Sequence, residues 1–106
     1  MFIGTDLVFV PKIRKLLSEE LQKIYTANEL TNNTAEHLAG ILAAKEAFFK
    51  TLGYKADWHD VWIEYEQSGR PILHSILLKQ KQLASVSISH DGEYAIAVVL
   101  IYENSN

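Results

Sequence analysis

A chain of 106 residues, 48% hydrophobic and 22% charged, has the length of one domain and enough apolar content for a core, which excludes a disordered tail or a collagen-like fibre. The lack of cysteine removes disulfides, thiolate metal sites and cysteine nucleophiles together. A formal net charge of −3 gives no general cationic field for nucleic acid.

No repeat, low-complexity tract or Gly/Ser linker interrupts the chain, so residues 1–106 read as a single domain. The first residues carry no basic segment before their apolar stretch and no small-residue cleavage site. That stretch stops at Pro11, and the other apolar run, 94–102, is far shorter than a membrane-spanning helix. A cytoplasmic protein with no membrane partner is therefore expected.

Residues 2–10 are β-branched and aromatic and predict a buried strand. Pro11 suits the first turn of a helix. Ile13, Leu16, Leu17, Leu21 and Ile24 continue it at helical spacing, with Lys12, Arg14, Lys15 and Lys23 mostly opposite. Thr26 with Glu29 is a capping-box pattern for a short helix. Asn33 with Glu36 repeats it before a long helix over 34–52, which Gly53 stops. Leu38, Ile41, Leu42, Phe49 and Leu52 form that helix's apolar stripe. Residues 60–66 alternate like a strand, 67–71 read as a turn, and 75–83 as a short helix. Val86 and Ile88 alternate with Ser85, Ser87 and Ser89 in a half-exposed strand, and Asp91-Gly92 signals a hairpin into a well-buried strand over 94–102. The order indicates an α+β fold, with helices packed on a mainly antiparallel sheet.

Three places break the local pattern. Asp6 puts a carboxylate inside an apolar strand, where a charge is costly unless it is paired or bound to a metal. A hydrogen bond to a neighbouring backbone group or a lysine accounts for it equally simply. Glu46 and Lys50 share one helical face beside Ala39 and Ala43, either as an ion pair or as a groove open to a ligand. Lys45 falls in the middle of the apolar stripe, either snorkelling to solvent or held against an anionic ligand. Ser85, Ser87 and Ser89 with His90 make either a solvated face or a set of phosphate donors. Ser89-His90-Asp91 is not a catalytic triad, because neighbours in a strand point to opposite faces. Two carboxylates able to share Mg²⁺, with lysines to neutralise phosphates, suit phosphoryl or phosphodiester transfer. No Walker loop or GxGxxG is present.

These residues carry a resemblance. Gly4-Thr-Asp6-Leu-Val8, Tyr25-Thr26-Ala-Asn-Glu29, Ala35-Glu36-His-Leu-Ala-Gly40, Ala43-Ala-Lys45-Glu46-Ala-Phe-Phe-Lys50, Gly69-Arg70-Pro71 and Val86-Ser-Ile-Ser89-His90-Asp-Gly-Glu-Tyr94-Ala-Ile-Ala97 follow one another as in the holo-acyl-carrier-protein synthases. The chain resembles this short type of 4′-phosphopantetheinyl transferase over nearly its whole length.

The resemblance implies transfer of the 4′-phosphopantetheine arm of coenzyme A to a serine of an acyl carrier protein, releasing adenosine 3′,5′-bisphosphate, as part of fatty acid biosynthesis. It puts the Mg²⁺ ligands at Asp6 and Glu46, a pyrophosphate-side lysine at Lys50, nucleotide contacts at Ser89 and His90, and an adenine-side turn at Gly69 and Pro71. Glu46 acting through water, or a water poised by the metal, would take the serine proton. The implied assembly is a homotrimer with coenzyme A between subunits, to which Trp58 and Trp62 would be compatible contributors. Acyl carrier proteins are acidic along their recognition helix, which makes Lys12, Arg14 and Lys15 candidates for docking.

The chain departs from the family where Phe9, Lys12, Ile41 and Trp62 replace an acid, two arginines and a glutamate. The loop after the long helix is reduced to Gly53-Tyr-Lys55-Ala. Lys55 or Arg70 are the candidates to replace the charge missing at Ile41, a position that in the family helps hold a coenzyme A phosphate. A relative that binds a carrier protein or nucleotide without transfer is the alternative.

Overall fold

The structure, a computed structural model, describes residues 1–104. In chain order the elements are β1 (Phe2–Phe9), α1 (Val10–Arg14), α2 (Ser18–Ile24), α3 (Ala27–Leu30), α4 (Ala35–Leu52), a 3-10 turn at Trp58–Asp60, β2 (Val61–Tyr65), β3 (Pro71–Ser75), β4 (Gln82–Asp91) and β5 (Tyr94–Glu103). β1, β5 and β4 form one antiparallel sheet in that order, and β2 with β3 forms a second. Helices pack on antiparallel sheets, so the architecture is α+β, in two sheets rather than one.

α4 lies across β1 and β5. Ala39, Ala43, Ala44 and Ala47 are fully buried, because small side chains let helix and sheet approach closely. The alanines beside Glu46 and Lys50 therefore fill the core and do not open a groove. The tightest approach is at Gly4, where a Cβ would sit 2.0 Å from the Ala47 carbonyl oxygen. Only glycine permits it. The contact fixes where the next inward residues of β1 meet the helix.

Several local expectations differ from the structure. The single helix expected from Pro11 onward is two helices, α1 and α2, broken at Lys15 to Leu17. Leu17 is extended, and its N–H donates to Glu20 Oε1 at 3.1 Å. Glu19 and Glu20 then occupy the first turn of a new helix, where the dipole favours acids. Leu17 remains exposed, so the spacing of Leu16 and Leu17 had no single face behind it.

The cap of α4 is Thr34, whose Oγ1 accepts from the His37 N–H at 3.2 Å, and not Asn33. The Asn33 side chain is engaged instead with the Glu29 carbonyl and the His37 ring.

Residues 75–83 hold no helix. Ser75 Oγ donates to the Asp60 carbonyl at 2.7 Å and accepts from the Leu77 N–H at 3.0 Å. The Gln82 N–H donates to the Lys79 carbonyl at 2.9 Å, and Gln82 Oε1 accepts from the Lys79 N–H at 2.8 Å. These local bonds satisfy the donors a helix would use. They leave 71–75 free to pair with β2 as a strand the periodicity did not signal.

β5 is buried on one side only. Ala95, Ala97, Val99 and Ile101 enter the core, whereas Ile96 and Val98 stay 42% and 38% exposed. Cross-strand register places Leu7 opposite Ile96 and Ile3 opposite Leu100 on that outer face. Ile3 and Leu7 are 69% and 58% exposed. A large apolar sheet face is therefore uncovered in a single copy. Among the described residues no helix is long and apolar enough to cross a membrane.

Candidate active site

Two residues beyond Gly4, Asp6 faces the middle of α4. Lys50 Nζ donates to Asp6 Oδ1 at 3.1 Å and to the Thr5 carbonyl at 2.8 Å. Glu46 stands one turn earlier on the same helical face, and its carboxyl lies within hydrogen-bonding reach of Asp6's. Burial, the hydrogen bond with Asp6 and the charge of Asp6 push the Glu46 carboxyl up to about 7, against the opposing pull of Lys55 and Lys50. Three residues from two widely separated stretches, β1 and α4, thus meet at one place.

Asp6 Oδ2 is buried and receives no hydrogen bond from the described residues. Its carboxyl neighbour donates to it only when carrying a proton. Two acids in contact need either a shared proton or a cation, and an unfilled oxygen beside a second carboxylate suits a hard divalent ion. Mg²⁺ takes one or two protein carboxylates and completes its shell with water and phosphate oxygens. Asp6 and Glu46 are the residues that would hold it. Among the described residues no third His, Asp or Glu joins them.

Lys45 faces elsewhere. It is fully buried, and its Nζ donates to Glu29 Oε1 at 2.7 Å, to the Ile24 carbonyl at 2.7 Å and to the Trp58 carbonyl at 3.2 Å. All three ammonium hydrogens have partners within the chain. This corrects both readings of Lys45: it neither reaches solvent nor has a donor left for a ligand. Burial lowers its pKa, while the adjacent Glu29 carboxylate opposes that shift. Glu29 in turn accepts from the Thr26 N–H at 2.8 Å and, through Oε2, from the Ile63 N–H at 2.9 Å. The capping-box spacing found this residue but not its larger role, which is to tie α3, β2 and α4 together.

The remaining candidates lie apart. Ser89 is exposed on β4. His90 Nε2 donates to the Glu36 carbonyl at 3.0 Å, which sets the ring against Gly40. Gly69 takes a φ of 91° in the turn between β2 and β3, with Pro71 opening β3. Among the described residues no hydrogen bond or ion pair connects these groups to Asp6, Glu46 or Lys50, and none of them lines the two cavities that Glu46 borders on α4. Lys12 shares a cavity of 220 Å³ with Leu7, Leu16, Leu42 and Glu46. Arg14 is paired with Glu36, and Lys15 ends α1 on the surface.

The departures have structural counterparts. Ile41 is 1% exposed and belongs to the core. Phe9 packs on Tyr94, ring centroids 5.2 Å apart. Trp62 stacks on His74 at 5.7 Å, and Trp58 packs on Phe49 at 5.2 Å, so both indoles are partly covered by their own chain. A larger cavity of 360 Å³ along Thr26, Asn28, Trp62 and Glu64 shares no residue with the carboxylate pair and holds no acid-base pair of its own. Lys55, beside Glu46, was found in the sequence only as a spare charge.

Residues 2–99 match the family described as the 4′-phosphopantetheinyl transferase superfamily. A holo-[acyl-carrier-protein] synthase of Bacillus pumilus is 36% identical, with 93% of each chain covered. One of Caldanaerobacter subterraneus is 32% identical, covering 100% of this chain and 98% of the relative. The holo-[acyl-carrier-protein] synthase of Helicobacter pylori in complex with coenzyme A superposes with a TM-score of 0.85 at 29% identity, covering 94% of this chain and 99% of that one. The Bacillus anthracis enzyme, in complex with CoA (3′,5′-ADP), gives 0.84 at 30% identity, covering 98% and 96%. The fold, the carboxylate pair and this likeness along the full length agree: the chain belongs to the holo-acyl-carrier-protein synthase family of 4′-phosphopantetheinyl transferases.

Proposed function

We propose that this chain moves the 4′-phosphopantetheine arm of coenzyme A onto a serine of an acyl carrier protein, using Mg²⁺ held by Asp6 and Glu46. The observation that carries the metal assignment is the buried Asp6 Oδ2, without a partner among the described residues, beside the Glu46 carboxyl. When bound, Mg²⁺ supplies charge neutralisation on the pyrophosphate and its leaving oxygen. The serine Oγ forms a bond to the phosphorus that carries pantetheine. The bond from that phosphorus to the bridging oxygen breaks, and its electron pair leaves with adenosine 3′,5′-bisphosphate. The serine proton would pass through water to the Glu46 carboxylate, or be taken by a water poised at the metal. Lys50, fixed by Asp6 and the Thr5 carbonyl, presents the rest of its charge to the phosphates.

The family resemblance implies a homotrimer. Ser89, His90 and the turn at Gly69 and Pro71 stand apart from the carboxylates in one copy, and such an assembly would supply them across an interface. The uncovered face bearing Ile3, Leu7, Ile96 and Val98 is the surface such copies would bury. Carrier docking falls to the side of α1, where Lys12 borders the same cavity as Glu46, with Arg14 and Lys15 adding to the field. A cytoplasmic setting suits a chain without cysteine.

The test is incubation with coenzyme A, Mg²⁺ and apo carrier proteins, read by intact mass. A phosphopantetheine adduct on the carrier supports the proposal. Failure to modify any of several carriers, with coenzyme A still bound in calorimetry, would favour a binding protein without transfer.

A further inference from the structure

α4 ends at Gly53, whose φ of 80° gives the helix a left-handed stop. The short loop that follows carries Lys55 back over the indole of Trp58, with Nζ 4.4 Å from the ring centroid. Trp58 is held from two other directions. Its ring packs on Phe49, and its carbonyl accepts from the buried Lys45 ammonium. Lys55 forms no ion pair among the described residues, yet the aromatic face fixes where its charge sits. Lys55, Trp58, Phe49 and Glu46 line one cavity of 280 Å³.

This cavity has two aromatic walls, an unpaired cation at its edge and one of the paired carboxylates at its end. Such a surface matches a ligand that is apolar along its length and anionic where it meets the metal site. Its volume lies just below the roughly 300–1,000 Å³ of pockets that enclose whole small molecules, so it suits an extended arm and not a nucleotide. Arg70, the other spare cation, is 3.8 Å from Glu66 within its own turn and shares no cavity with Glu46.

We propose that Lys55 is a substrate-contacting residue that grips the phosphate of the phosphopantetheine arm, which lies along Phe49 and Trp58. The inference rests on the transferase reading and adds a contact particular to this chain's short loop. Lys55 and Lys50 then flank the reacting phosphate, one from the loop after α4 and one from α4 itself.

Trp58 reports on its own cavity. The chain has two tryptophans, so Trp62→Phe leaves Trp58 as the only indole. In that background, with Mg²⁺ present, 4′-phosphopantetheine should change Trp58 emission and bind about tenfold or more tighter than unphosphorylated pantetheine, the ratio expected of a charge-assisted contact. Lys55→Ala should cut that preference several-fold, the remainder belonging to Lys50 and the metal site, and raise the KM for coenzyme A by about the same factor, with the KM for carrier protein unchanged. Lys55→Arg should recover most of the preference. If Lys55→Ala keeps the full preference for the phosphorylated ligand, Lys55 is not the contact. If the wild-type chain transfers the arm while neither ligand perturbs Trp58, the arm does not lie in this cavity; the inference then fails and the transferase reading survives. If the wild-type chain neither binds coenzyme A in calorimetry nor modifies a carrier, the transferase reading fails and takes the inference with it.

Discussion

Lys45 and Lys50 lie on the same helix, and each reaches a carboxylate from a distant stretch of chain, but the two pairs are built differently. The Lys45–Glu29 pair is closed: both side chains are almost fully buried, and the ammonium has three partners. The Lys50–Asp6 pair is open. The lysine is more than half exposed, one Asp6 oxygen has no partner among the described residues, and a second acid crowds it. A charge pair that satisfies itself holds a fold together. One left short of a cation is poised to receive something else. The family motif places Lys45, Glu46 and Lys50 within six residues, and only burial separates the structural lysine from the site.

The largest expected effect is on the closed pair. Lys45→Ala leaves the Glu29 carboxylate buried without its cation and should cost about 3–5 kcal/mol of stability, read by chemical denaturation. Replacing both partners, as in Lys45→Met with Glu29→Gln, should recover part of that loss, because the desolvated charge is gone. If Lys45→Ala melts like the parent, the pair contributes no more than a surface bridge.

On the open side the same kind of change should act oppositely. Glu46→Gln removes one of two crowded acids. Transfer should fall by about 10³-fold, within the range for losing a main transition-state contact, while the metal-free protein becomes more stable at pH 8. The Glu46 carboxyl ionises near 4.5 in the unfolded chain and at about 7 in the fold. Between those values the fold keeps a proton that the unfolded chain has released. Stability therefore falls as pH rises from about 4.5 towards 7, and the loss persists above that. A cation relieves the crowding only after the proton has left, so Mg²⁺ should raise Tm more at pH 8 than at pH 6. Glu46→Gln should flatten that difference. An equal Mg²⁺ effect at both values, in the parent protein, would remove Glu46 from the cation site.

How far the sequence foretold these two regions depends on where the deciding partner comes from. Asp6, Glu46 and Lys50 were legible because a carboxylate in an apolar strand and a helical i, i+4 pair stand out against their neighbours. The fate of Lys45 was not legible. Its partners come from Ile24, Glu29 and Trp58, and helical spacing reports only which face a residue occupies. Elements failed in the same way. The apolar positions of 75–83 fit a helix until Ser75 and Gln82 side chains bond the local backbone. β5 looked buried throughout because residues on its outer face are as apolar as those on its inner face, a composition that makes sense for a surface covered by another copy.

Lys50→Ala tests the open side more gently. Lys50 anchors to Asp6 and the Thr5 carbonyl, both near the surface, so folding should be little affected. Transfer should drop by about 10²-fold, the lower end for one stabilising donor, with coenzyme A binding in calorimetry weakened much less. Equal losses in binding and turnover would make Lys50 a ground-state contact only.

The smallest effect is expected where α1 meets the carrier protein. Lys12 is exposed yet borders the cavity that ends at Glu46, whereas Arg14 already spends its charge on Glu36. Lys12→Glu should therefore raise the KM for an acidic carrier more than Arg14→Glu does, by several-fold at low salt, because steering charges act mainly on encounter. Arg14→Glu also faces Glu36 with a like charge, so its loss should appear partly as lower thermal stability, a readout Lys12→Glu should leave alone. Raising ionic strength screens exposed charges separated by more than about 10 Å at 0.1 M and should narrow the gap between Lys12→Glu and the parent. Should the order of the two variants reverse in KM while their melting curves agree, docking would centre on the Arg14 side of α1 and not beside the cavity shared by Lys12 and Glu46.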